Sequence, residues 1–190
     1  MAVVVCATIG QWDDVARFVI VFGVLLISRS AGLPRPFDAA LGATLTVATV
    51  AMPAGWYETV PWVDLVIHGT TTGAVAVVVT VAMGRVRLLP LSQSRAPTVV
   101  LLVVALGFSV GVLWEFWEWL ATHMFGLVMV VGYTDTIADL AMDGASSLLA
   151  GAALAAWLGS GRSMYRTERP ARSVSRGDRN MREQGEATGQ

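Results

Sequence analysis

The chain has 190 residues, enough for one domain; 55% of them are apolar and 14% charged, a balance that belongs to a membrane protein and argues against an ordinary soluble globule. Net charge is −1, with no basic and aromatic groove, so nucleic acid is not an expected partner. The single cysteine, Cys6, excludes an internal disulfide and a CxxC redox or zinc motif.

Residues 1–10 are apolar without a basic start or a small-x-small cleavage site, so no cleaved signal peptide is expected. A membrane-crossing helix needs roughly 20 mostly apolar residues, and five segments approach that requirement. The first covers about 14–28 and ends at Arg29, ahead of the Gly32-Leu33-Pro34-Arg35-Pro36 break. The second covers 37–52 and is closed by Pro53. The third covers 62–83, begins after Pro61 and contains Asp64 and His68; an arginine-bearing linker, 84–97, follows it. The fourth covers about 98–121 and carries Trp114, Glu115, Trp117, Glu118 and Trp119 at its far end, where indole rings favour the membrane interface. The fifth covers about 136–159.

The expected fold is therefore all-α: a polytopic transmembrane helical bundle of about five helices occupying residues 1–159. Residues 160–190 are rich in Arg, Ser, Glu and Gly, a composition too poor in apolar groups to offset ordering, and are expected to form a disordered basic cytoplasmic tail. All 13 basic residues are arginine, and those at 29 and 35, at 85, 87 and 95, and from 162 onward fall on one side of the bundle. The positive-inside rule makes that side cytoplasmic, giving an N-out, C-in topology, with Arg17 alone opposing the pattern.

Three motifs then meet at one depth near the outer face. Asp64 and His68 are four residues apart and share a helix face. Glu115 and Glu118, three apart, can point to one neighbour, and Gly107 and Gly111 extend their stripe inward, where small residues let a partner helix approach closely. Asp135, Asp139 and Asp143 recur every four residues and continue into Ser147 and Gly151. Asp135 sits where an aspartate commonly caps a helix, whereas Asp139 and Asp143 lie beyond capping reach. Trp62, Trp114, Trp117 and Trp119 read as interfacial anchors and packing rather than a cofactor box, and His123 as incidental.

Six carboxylates with only His68, and at most Arg17, to balance them need another remedy: a divalent cation, shared protons or a water-filled cavity. Read as a metal site, His68, Glu115, Asp139 and Asp143 are the expected ligands, with Asp64 and Glu118 as base or outer support, and mixed imidazole and carboxylate donors suit zinc or manganese.

In order, Asp64-x3-His68-Gly69, Glu115-x2-Glu118-Trp119 and Gly132-x2-Asp135-Thr136-x2-Asp139-Leu140 resemble the YjdF-like family of bacterial membrane proteins over about 62–151. More distantly, Asp139-x3-Asp143-Gly144 is similar to an element of VanZ-like proteins. The resemblance implies an integral membrane protein and no particular activity. The leading expectation is a metal-dependent hydrolase acting on a lipid or isoprenoid-linked envelope substrate, with membrane lipid as its surroundings. Its rivals are a proton- or cation-coupled permease or ion-binding scaffold, which with five helices and no repeat would work as a homo-oligomer, and a non-catalytic subunit binding through its arginine-rich tail.

Overall fold

The computed structural model describes residues 12–126 and 131–164, and among them every regular element is helical. In chain order these are α1 (Trp12–Ser30), α2 (Arg35–Ala51), a single turn α3 (Trp56–Thr59), α4 (Val63–Arg85), a 3-10 turn at Leu91–Gln93, α5 (Ala96–Phe125) and α6 (Tyr133–Gly159). The expectations for Cys6, for residues 1–10 and for the tail past Met164 fall outside the described residues, as does the side chain of Arg17.

Three helices, α4, α5 and α6, are long and apolar enough to cross a membrane. α2, with 17 residues, rises about 26 Å at 1.5 Å per residue, short of the roughly 30 Å hydrocarbon core. α1 has 19 residues, and among the described residues Val21–Ser30 form its apolar stretch. Proline sets two helix starts, since Pro36 and Pro97 occupy the first turns of α2 and α5, where a missing N–H costs nothing. Gly126 ends α5 in the left-handed region at φ 65°, a conformation that favours glycine. α5 runs four residues beyond the expected end at Ala121, and α6 starts three residues before the expected Thr136, so both carry their acidic turns inside regular helix.

Helix directions follow from close approaches. Gly69 abuts the backbone of Met142 and Gly73 that of Ser146, so α4 and α6 run parallel. Gly107 faces Ser147 and Gly111 faces Asp143, while Gly151 lies against Val100 and Val103, so α5 is antiparallel to both. α2 packs on the outside of α4, and α1 on α2. α4 is the enclosed helix: more than half of its apolar window is buried, against less than a third for α5 and α6. Leu101, Leu113, Phe116 and Leu149 are accordingly exposed, as expected for faces turned to lipid.

The bundle has two chemically distinct ends. At one, Arg85 donates to the carbonyls of Ala31, Gly32 and Met164, tying the α1–α2 turn and the segment after α6 to the end of α4. Arg29 and Arg35 flank that turn, and Arg29 pairs with Asp38 at 3.4 Å. Just inside lies the main apolar cluster of Leu33, Ala76, Val77, Val81, Val99, Val103 and Leu154. At the other end are the first turns of α4 and α6 and the last turns of α5, where six of the carboxylates reside.

Candidate functional site

The helix directions dictate which side chains meet. Asp64 and His68 lie in the first two turns of α4, Asp135, Asp139 and Asp143 in the first three of α6, and Glu115 and Glu118 near the end of antiparallel α5. His68 is the centre of the group. Its Nε2 is 3.8 Å from Glu115 Oε1 and 3.8 Å from Glu118 Oε1, and its Nδ1 is 3.8 Å from Asp143 Oδ2. These spacings exceed hydrogen-bond reach. Donor atoms about 2.1 Å from a four-coordinate ion stand roughly 3.4 Å from each other, so the spacing is closer to that of a ligand shell than to that of a bonded pair.

Burial makes the arrangement expensive as it stands. His68 is 1% exposed, Asp139 2% and Asp143 0%, and Glu118 is also buried, with Asp64, Glu115 and Asp135 half-buried. Both His68 ring nitrogens, both Asp143 oxygens, Glu115 Oε1, Glu118 Oε2, Asp135 Oδ2, Asp139 Oδ2, Thr71 Oγ1 and Ser147 Oγ are buried without a hydrogen-bond partner. A buried polar atom left unsatisfied costs about 1–3 kcal/mol, more if charged, so such a concentration calls for a ligand, ions or water. Three triads have donor atoms that all lie within 4.8 Å of one another and can hold a metal ion: Asp64–His68–Glu118, His68–Glu115–Asp139 and Asp64–Asp135–Asp139.

Two glycines create the space. A Cβ at Gly111 would stand 2.1 Å from Asp143 Oδ2, and one at Gly107 would stand 1.9 Å from Ser147 Oγ. The glycine stripe of α5 is therefore a cradle for the polar stripe of α6, a narrower function than close backbone approach alone. Below Ser147 the polar descent meets Ala76, then Val103 and Leu154 of the apolar cluster.

All six residues proposed from sequence, Asp64, His68, Glu115, Glu118, Asp139 and Asp143, come together at this end. Asp143 differs from the rest in belonging to none of the three triads and in approaching Nδ1, the nitrogen facing away from the glutamates. Two residues play parts that sequence did not assign. Asp135 makes no cap: Gly132 is the N-cap of α6, no side-chain cap bond forms, and the carboxylate joins Asp64 and Asp139 instead. Trp114 is half-buried rather than a simple anchor; its indole N–H donates to Glu118 Oε1 at 3.0 Å, and its ring meets His68 edge-on at 5.2 Å. The signal was present in the spacing, because Trp114 precedes Glu118 by four residues and follows Gly111 by three, on the same inward stripe. Trp62, Trp117 and Trp119 are exposed, and His123 Nδ1 sits 2.9 Å from the Trp119 carbonyl, away from the site.

Comparison with curated proteins and with solved structures finds no match. A family model does match, over residues 4–160, which include every helix and the whole acidic end. With three helices able to cross a bilayer, the chain is an integral membrane protein, and it belongs to the family described as "predicted membrane protein (DUF2238)".

Proposed function

We propose that this protein is a metal-dependent hydrolase whose acidic end opens to the outer leaflet of a bacterial inner membrane and acts on a lipid or isoprenoid-linked envelope substrate. In this reading the chain is multi-pass, with about five helices, N-out and C-in, α1 and α2 completing the bundle and residues past 159 forming a cytoplasmic basic tail. The arginine end supplies the orientation, since Arg29, Arg35, Arg85, Arg87, Arg95 and Arg162 all belong to it. The motif likeness to YjdF-like and, more distantly, VanZ-like proteins accords with a bacterial envelope setting.

One observation carries the proposal: a fully buried imidazole with no hydrogen bond, ringed at 3.8 Å by carboxylates from two other helices. His68 Nε2, Glu115 and Asp139 would hold a zinc or manganese ion, which supplies a water activated at neutral pH. Asp143 faces Nδ1 at 3.8 Å and, drawn closer when the ion is held, would accept the N–H of that nitrogen and leave Nε2 to ligate, as carboxylate–histidine pairs do at metal centres. Glu118, held by Trp114, and Asp64 are placed to take a proton from the water. In the reaction the water oxygen bonds to the phosphorus or acyl carbon of the substrate, the ester bond to the lipid alcohol breaks, and the alcohol oxygen leaves with a proton. The apolar cluster beneath Ser147 favours hydrolysis over a permease, because the polar column closes before it reaches the arginine end.

Elemental analysis of the detergent-purified chain, beside the His68→Ala/Asp139→Ala double variant, tests the reading. Stoichiometric zinc or manganese in the parent and its loss in the variant are expected, with turnover of lipid phosphates or acyl esters lost in parallel. A parent free of metal under non-chelating conditions sinks the proposal. Proton flux in liposomes that disappears in Glu115→Gln would install the permease in its place.

A further inference from the structure

We infer that the acidic end holds two divalent cations joined by the Asp139 carboxylate, one on His68, Glu115 and Asp139 and the other on Asp64, Asp135 and Asp139. The inference rests on the metal reading above and deepens it. Any two of the three triads whose donor atoms lie within 4.8 Å of one another share one residue; these two share Asp139 and leave out Glu118, which Trp114 already engages. A carboxylate has two oxygens and can therefore serve two ions at once. Asp139 is placed for that duty, being 2% exposed with Oδ2 unpartnered, and His68 at 1% exposure has both nitrogens unpartnered.

Charge points the same way. Asp64, Glu115, Glu118, Asp135, Asp139 and Asp143 bring six carboxylates to this end, while the described arginine side chains all belong to the far end of the bundle. One divalent ion balances two of the six; a pair balances four. Asp135 has no other structural employment, since it lies in the first turn of α6 without capping it and leaves Oδ2 buried and unbonded. The remaining triad, Asp64–His68–Glu118, takes one member from each proposed ion and adds a glutamate already engaged by Trp114, which makes Glu118 the flanking group rather than a bridge.

The two positions differ in donor chemistry. The first combines an imidazole with carboxylates, and the second is oxygen-only, a set that disfavours zinc and suits manganese or magnesium. Manganese is the one ion among these that suits both.

Equilibrium dialysis of the detergent-purified full chain against Mn²⁺, with electron paramagnetic resonance of the loaded protein, decides the matter. Two Mn²⁺ per chain and a spin-coupled signal are expected, falling in Asp135→Asn to one Mn²⁺ with an isolated six-line spectrum. Asp135 is half-buried at the start of its helix, so the substitution is mild, and the coupled signal of the parent stands as evidence without any variant. One Mn²⁺ in the parent, unchanged by Asp135→Asn, overturns the pair and leaves the single-ion hydrolase standing. Two ions that survive Asp135→Asn with coupling intact overturn the assigned ligands; no bound Mn²⁺ overturns the pair, the single-ion reading being decided by the zinc and manganese content of the parent as purified.

Discussion

At the arginine end, Arg85 spends its guanidinium on the carbonyls of Ala31, Gly32 and Met164, and Asp38 accepts from both Ser28, at 3.2 Å, and Arg29. At the acidic end, His68 stands 3.8 Å from each of three carboxylates and makes no hydrogen bond. The first set of charges closes on the protein itself and stitches three segments together. The second is positioned by the same helices yet left incomplete, at a cost of about 1–3 kcal/mol for each unsatisfied buried atom. Among the described residues the arginine end leaves one such atom, Arg85 Nε, against the ten gathered at the acidic end, so the concentration of open valences is a property of the acidic site, to be met by a ligand, ions or water.

The largest expected effect comes from closing the cradle. Gly107→Val sets a Cβ where it would stand 1.9 Å from Ser147 Oγ, on the fully buried α5–α6 seam, and overpacking of that kind costs about 1–3 kcal/mol. A lower thermal midpoint in detergent together with reduced cation content is expected, because displacing α6 at Ser147 moves Asp143 one turn above it. Gly23→Ala, inside α1 where nothing lies within 4 Å, serves as the control: it should leave cation content unchanged and hold or slightly raise the midpoint, since alanine favours helix over glycine. A Gly107→Val protein that melts and loads like the parent would remove the cradle from the account.

Arg85→Ala separates the two ends. Hydrogen bonds from a charged donor contribute about 1.5–3 kcal/mol where buried and less where water competes, so a loss of about 2 kcal/mol is expected for this half-buried group. Because the three carbonyls it holds belong to the far end, thermal stability should fall while cation stoichiometry stays at the parent value. A variant that loses its cations without melting earlier would join ends that the structure keeps apart.

The sequence made the acidic end legible because helical spacing is a strict ruler. Asp64 and His68, Glu115 and Glu118, and Asp139 and Asp143 each share a face by arithmetic, and arginine placement put the three faces at one depth. What spacing could not supply was direction across the seam. That Gly111 faces Asp143, and that Asp143 takes Nδ1 while the glutamates take Nε2, depends on how α5 and α6 rotate about their own axes. For Asp135 the spacing left a cap and a place on the acidic stripe both open, and for Trp114 it left anchoring and packing open; tertiary packing turned both toward the acidic group. The first two helices were legible as helices, but their reach was not, since α1 and α2 are too short or too charged to match the apolar length of α4, α5 and α6.

The smallest expected effect tests whether the acidic end is tuned as well as assembled. Trp114→Phe keeps an aromatic ring beside His68 and deletes only the N–H that reaches Glu118 Oε1 at 3.0 Å. With a divalent cation bound, that N–H restrains Glu118 next to the ion; without it the carboxylate can swing, and one lost hydrogen bond to a charged acceptor corresponds to about 1.5 kcal/mol, roughly tenfold in an equilibrium constant. Cation affinity in Trp114→Phe should therefore change by up to about tenfold while the thermal midpoint of the cation-free protein moves little. A midpoint that falls as far as in Gly107→Val would instead make Trp114 a packing residue of the α4–α5 seam, and the acidic end would then differ from the arginine end in its charges but not in the way its side chains are held.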